Sequence, residues 1–159
     1  KEQDGNPIRR RVVGALALGT VANFVSPRLS EAKGLPIKVY KNSRCDCCDD
    51  WISHLEANGF SAMALDEGNN DAQMRLGMPA RFSACHTGEI NGYAIEGHVP
   101  AKEIHRLLQE RPDAVGLSVP DMPRGSPGMD GSIYGGFVDP YDVLLIGTDG
   151  EATVFQSYR

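Results

Sequence analysis

The sequence predicts an α/β domain. Three observations predict it: short runs in which apolar residues alternate, intervening stretches in which they recur at helical spacing, and Asn-Gly and Asp-Gly pairs that mark tight hairpins. A length of 159 residues, 41% of them apolar and 23% charged, suits one folded core.

The first 32 residues stand apart. Arg9, Arg10 and Arg11 precede the run VVGALALGTVANFV, and LSEA ends in small residues before Lys33, the layout of a secretory signal. The apolar run from Val12 to Val25 holds Thr20 and Asn23 and is shorter than the about 20 residues of a membrane span. Paired arginines before a mildly apolar stretch resemble a twin-arginine export signal. Residues 1–32 are therefore expected to be a cleaved export signal. The mature domain, residues 33–159, is then expected in the periplasm with no stable membrane span. An amphipathic N-terminal helix is the competing reading.

In the mature part, PIKVYKN alternates as a strand and runs into a cysteine cluster. Trp51, Ile52 and Leu55 then recur at helical spacing until Asn58 and Gly59 close the segment. FSAMALDE reads as a second strand and NDAQMRLG as a short helix ending at Gly77. ACHTGEINGYAIEGHV gives two β runs about Asn91-Gly92, a strong hairpin signal. Pro100 starts a helix whose apolar face is Ile104, Leu107 and Leu108, and Arg111-Pro112 stops it. Gly116 to Pro140, rich in Gly and Pro, is expected to be a long irregular loop. YDVLLIGTDGEATVFQSY closes the chain with a hairpin about Asp149-Gly150. That order of elements is the order of a thioredoxin-like domain with a Gly/Pro-rich C-terminal extension. Met63, Met74 and Met78 are expected in or near the core, and His54 and His105 on solvated helix faces.

The cysteines carry the chemistry. In YKNSRCDCCDDW three of the chain's four cysteines fall within four positions. Cys45 belongs to the loop before the helix and Cys48 to its first turn, where free N–H groups and the helix dipole favour a thiolate. If Asn91-Gly92 is a two-residue turn, Ile90 opposes Tyr93 and Cys85 opposes His98. Opposed residues share a face with Cβ atoms about 5 Å apart. Thr87, Glu89 and Glu96 share it too, so this face is also readable as solvent-lined, and a bulge would present His86 instead.

A soft, crowded donor set limits the metals that suit it. Structural zinc usually takes cysteines in C-x₂₋₄-C pairs, which adjacent Cys47 and Cys48 do not form, and iron–sulfur spacings fit no better. Copper(I) prefers thiolates and thioethers, and one Cu(I) among four thiolates would leave about three negative charges uncompensated. Several Cu(I) ions sharing bridging thiolates neutralise the site. Met122 and Met129 add thioethers in the Gly/Pro-rich loop and are equally readable as hydrophobic plugs. The competing readings are a Cys45–Cys48 disulfide, hence a thiol–disulfide oxidoreductase, and a zinc-stabilised module. Nucleic acid is excluded as a partner: residues 33–159 carry 11 basic against 18 acidic side chains, where counterion release needs a concentrated basic surface.

The segments YKNSRCDCCDDWISHLEANGF, LGMPARFSACHTGEINGYAIEGHVPAKEIHRLLQERPDAVGLSVPDMPRGSPGM and YDVLLIG resemble the CopG-type copper-resistance proteins. The motifs are C-x-C-C at Cys45, Cys47 and Cys48, C-H-T at Cys85 to Thr87, E-G-H-V-P at Glu96 to Pro100, and M-P-x-G-S-P-G-M at Met122 to Met129. Asp121 stands where Gly is common in that family, and DGSIYGGFVD lengthens the following loop. The resemblance implies a periplasmic thioredoxin-like domain that binds copper through these cysteines, with the C-terminal extension contributing. It also implies interconversion of Cu(I) and Cu(II) in copper detoxification, hence a copper oxidoreductase if the protein turns over. The expected ligands are Cys45, Cys47, Cys48, Cys85, His86, His98, Met122 and Met129. The expected partners are copper ions and copper efflux components, around a monomer.

Overall fold

Ile37 and Val39 turn inward while Pro36 and Lys38 face water, and this alternation makes Leu35–Lys41 a strand, β1. The computed structural model describes residues 34–159, and the expected export signal lies outside the described residues. From β1 the chain continues through helix α1 (Asp46–Ala57), strand β2 (Phe60–Leu65) and helix α2 (Asn70–Leu76). Strands β3 (His86–Ile90) and β4 (Tyr93–Gly97) follow, then helix α3 (Ala101–Glu110). The last strands are β5 (Ala114–Val119), β6 (Tyr141–Gly147) and β7 (Ala152–Tyr158). The seven strands form one mixed sheet in the order β2-β1-β3-β4-β5-β6-β7. Two pairs, β1 with β2 and β4 with β5, are parallel. Among the described residues no helix is long and apolar enough to cross a membrane.

The helices form where the periodicity places them. α1 lays Trp51 and Leu55, and α3 lays Ile104 and Leu107, on Ile37, Val39, Ile95, Leu117 and Val119 of the sheet. The Trp51 indole N–H donates to the Val99 carbonyl at 2.8 Å, so the large ring is buried with its polar atom satisfied. α2 ends at Gly77 with φ of +78°, a left-handed cap that favours glycine. Its end, with Met78, packs the other face of the sheet against Ala94 and Ile146.

Four expectations are corrected. The irregular loop begins at Pro120, not Gly116, because Ala114–Val119 is the buried strand β5. Its Gly116 is required by packing: a Cβ there would lie 1.8 Å from the Ala94 carbonyl oxygen. Met63 and Met74 are 60% and 72% exposed, on an edge strand and on an outer helix face, so only Met78 is buried. Thr87 and Glu96 are fully buried, so the hairpin face that carries them is not solvent-lined. His54 and His105 are half-buried between helices. The His54 ring accepts the Ala101 N–H at 3.1 Å at the start of α3, and burial lowers its pKa. The His105 ring packs 4.5 Å from Phe60 and lies 2.9 Å from the Asn58 carbonyl.

Candidate metal centre

Cys45 is the N-cap of α1, and its carbonyl accepts the N–H groups of Cys48 and Asp49 at 3.1 and 3.3 Å. This turn places Cys48 in the core and leaves Cys45 and Cys47 half-buried at the helix mouth. Cys45 and Cys48 are joined as a disulfide with Cα atoms 5.2 Å apart, and Cys47 and Cys85 are free thiols. Lys41, buried at the end of β1, anchors the helix start by pairing with Asp49 and Asp66, each at 3.0 Å.

The hairpin delivers the second set of donors. Its register pairs Ile90 with Tyr93 and Thr87 with Glu96, the alternation expected from the turn. Continued one step beyond His86, that register brings Cys85 to His98, with Sγ and Nε2 3.4 Å apart. His86 also reaches Cys85, its Nδ1 3.3 Å from the sulfur. Cys48 Sγ lies 3.9 Å from the Cys85 carbonyl, so the hairpin closes onto α1. Two donor groups result, each with atoms within 4.8 Å of one another: the four cysteine sulfurs, and Cys85 with His86 and His98. Cys85 belongs to both.

The loop between β5 and β6 fixes the imidazole. His98 Nδ1 lies 2.7 Å from the Pro127 carbonyl, which can only accept, so Nδ1 carries the proton and the Nε2 lone pair faces Cys85. Gly128 allows the loop this close: its φ is +83°, and a Cβ would lie 2.7 Å from the Cys47 carbonyl oxygen and 2.8 Å from the Trp51 main-chain nitrogen. Gly128→Ala is therefore expected to lift the loop and free the His98 ring. A fall of about tenfold in copper affinity, with little change in far-UV circular dichroism, is the expected readout. Met129 is half-buried in the same turn, its N–H bonded to Ser126 at 2.8 Å. Met122 is 39% exposed, with φ of +45°, so it sits at the rim of the loop.

Burial governs the protonation of the donors. Burial, then the nearby Cys47, pushes the Cys85 thiol up to about 12. Burial, then the facing His98, pushes His86 down to about 3, and burial lowers His98, so both imidazoles are neutral and can ligate. His86 Nε2 is the one buried side-chain polar atom among the described residues without a hydrogen-bond partner. Two neutral imidazoles beside the Cys85 sulfur fit a soft metal ion, which must displace the thiol proton that burial holds in place. Sequence reasoning missed the Pro127 carbonyl and Gly128, because a main-chain acceptor leaves no residue-type signal.

The protein-family model described as "Protein of unknown function, DUF411" matches residues 82–129. Two solved structures, named "Copper resistance protein copG- Form 1" and "Copper resistance protein copG- Form 2", are each 46% identical to this chain and cover 79% of it. The matches take in 98% and 99% of those chains, with TM-scores of 0.71 and 0.72. No curated protein sequence matches this chain.

Proposed function

Because the chain belongs to the CopG family of copper resistance proteins, we propose that it is an exported, periplasmic copper-binding protein that holds copper at Cys45, Cys47, Cys48 and Cys85 with His86 and His98. The single observation that carries this reading is the convergence of four sulfurs from α1 and from the hairpin, with Cys85 shared by a second, imidazole-containing group. Copper is the cargo. Thiolates favour Cu(I), and imidazoles also accept Cu(II), so the site offers donors to both states. A dithiol such as Cys45 and Cys48, on forming its disulfide, releases two electrons and two protons, enough to reduce two Cu(II) to Cu(I). Interconversion of the two copper states is the redox role this chemistry supports.

The site is read as multinuclear. Four thiolates around one Cu(I) carry an excess of about three negative charges, and Cys48 lies where solvent is excluded. Bridging thiolates between several Cu(I) ions remove that excess. A thioredoxin-like core is supported by the order β2-β1-β3-β4, with β1 and β2 parallel and α1 entering after β1. The segment from β5 to β7 is then its extension, and Met122 and Met129 are proposed as accessory thioethers.

The disulfide favours a second reading, a thiol–disulfide oxidoreductase acting through Cys45 and Cys48. Metal content decides between them. Protein reduced, loaded with copper and desalted without oxygen is expected to retain more than one copper per chain. A chain that retains none and reduces insulin would establish the second reading. One zinc per chain would instead point to a structural module.

A further inference from the structure

Behind Cys85 lies a buried polar cluster that supplies no donor to copper. Glu96, on β4, is fully buried. Its Oε1 accepts the Ala84 N–H at 2.6 Å and the Gln73 amide at 2.7 Å, and its Oε2 accepts the Thr87 hydroxyl at 2.7 Å. The Ala84 carbonyl accepts from the Asn69 amide at 3.1 Å. Both main-chain polar groups of the residue before Cys85 are thus held by side chains. This matters because β3 begins only at His86, so Cys85 stands outside the strand that would otherwise fix it. Gly97 permits the close approach: a Cβ there would lie 2.8 Å from the Ala84 Cβ.

A buried carboxyl group is tolerated only when its oxygens are bonded, and here all three donors belong to the segment around Cys85 or to the helix that backs it. We infer that Glu96 is the positioning residue of the metal centre: through Ala84 it holds the Cys85 sulfur against His98 and the α1 cysteines. The inference rests on Cys85 being a copper ligand. Glu96 touches neither metal nor sulfur and acts through the backbone of its neighbour.

The test compares Glu96→Ala with Glu96→Gln in the full chain. A glutamine oxygen can accept from Ala84 and Gln73, and its amide can donate to Thr87, so the conservative variant keeps the connections. In reduced, metal-free protein, Glu96→Ala is expected to raise the iodoacetamide labelling rate of Cys85 relative to Cys47 by about tenfold, the size of opening released by losing a buried hydrogen bond. After loading with Cu(I) its thiolate-to-copper absorption should shift, and Glu96→Gln should restore both readouts to parental values. A folded Glu96→Ala with parental labelling and spectrum overturns the inference, as does a Glu96→Gln that behaves like Glu96→Ala. Should Glu96→Ala fail to fold, Asn69→Ala takes its place, since Asn69 makes no side-chain cap bond to α2 and its amide holds only the Ala84 carbonyl and, at 3.3 Å, the Thr87 hydroxyl oxygen of the same cluster. About threefold faster Cys85 labelling supports the inference, and an unchanged rate overturns it. A parent chain that takes up no copper refutes the copper reading, and the labelling contrast then decides the positioning role alone.

Discussion

Cys85→Ser is expected to lower copper affinity by more than about a hundredfold while the protein stays folded, because even the outer partners of metal ligands are worth 10–100-fold. Serine has nearly the shape of cysteine, and position 85 lies outside the strand ladder in a half-buried bend, so the sheet has no reason to fail. A neutral hydroxyl is a poor ligand for a soft ion. Cys85 is also the one residue common to the sulfur group and the Cys-His-His group. Its loss therefore separates the thiolate end from the imidazole end, whereas loss of Cys47 would leave the second group intact. Competition against a chromophoric Cu(I) chelator measures the drop, and far-UV circular dichroism checks the fold. Parental affinity in Cys85→Ser would show that copper does not bridge the two groups.

Gly116→Ala is expected to be the most damaging single substitution for the fold. A Cβ at that position would sit 1.8 Å from the Ala94 oxygen and 2.7 Å from its carbonyl carbon, inside the paired main chains of β4 and β5. Neither neighbour is the free end of a side chain, so the clash is relieved only by parting two central strands. The expected loss exceeds about 4 kcal/mol, in the range seen for core overpacking and strained backbone. Gly92→Ala is the control. Nothing lies within 4 Å of a Cβ there, so its φ of +85° is the whole penalty, about 1–2 kcal/mol. Urea midpoints of the two variants should separate widely, and equal midpoints would contradict the packing account.

Sequence and structure agree where a local rule fixes geometry. Asn91-Gly92 sets the turn, the turn sets the register, and the register carries Cys85 to His98 with no knowledge of the rest of the fold. α1 was legible from Trp51 and Leu55, and its start from the cysteine-bearing turn. Strand β5 was not legible, because Gly116 and Pro120 look like loop punctuation when the glycine is there to admit Ala94. Thr87 and Glu96 read as part of a solvent-lined face since a polar side chain shows its burial only through its partners, and those partners come from α2 and the hairpin together. Met63 and Met74 misled for the opposite reason. An apolar side chain on an edge strand or outer helix face follows the same spacing as a buried one.

The contribution of the loop between β5 and β6 divides in the same way. The motif M-P-x-G-S-P-G-M directed attention to its methionines, but the contacts that the structure places on the site are the Pro127 carbonyl and the Gly128 backbone. Both are main-chain features whose residue type matters only through the conformation it permits.

The account is tested most directly by mapping which cysteines copper shields. Reduced protein, with and without Cu(I), is labelled by iodoacetamide under anaerobic conditions, and each site is read by peptide mass spectrometry. The expected result is protection of the three half-buried cysteines, Cys45, Cys47 and Cys85, together, rising in step as copper is added. Protection confined to the α1 cysteines, with Cys85 labelled at the same rate whether or not copper is present, would contradict it.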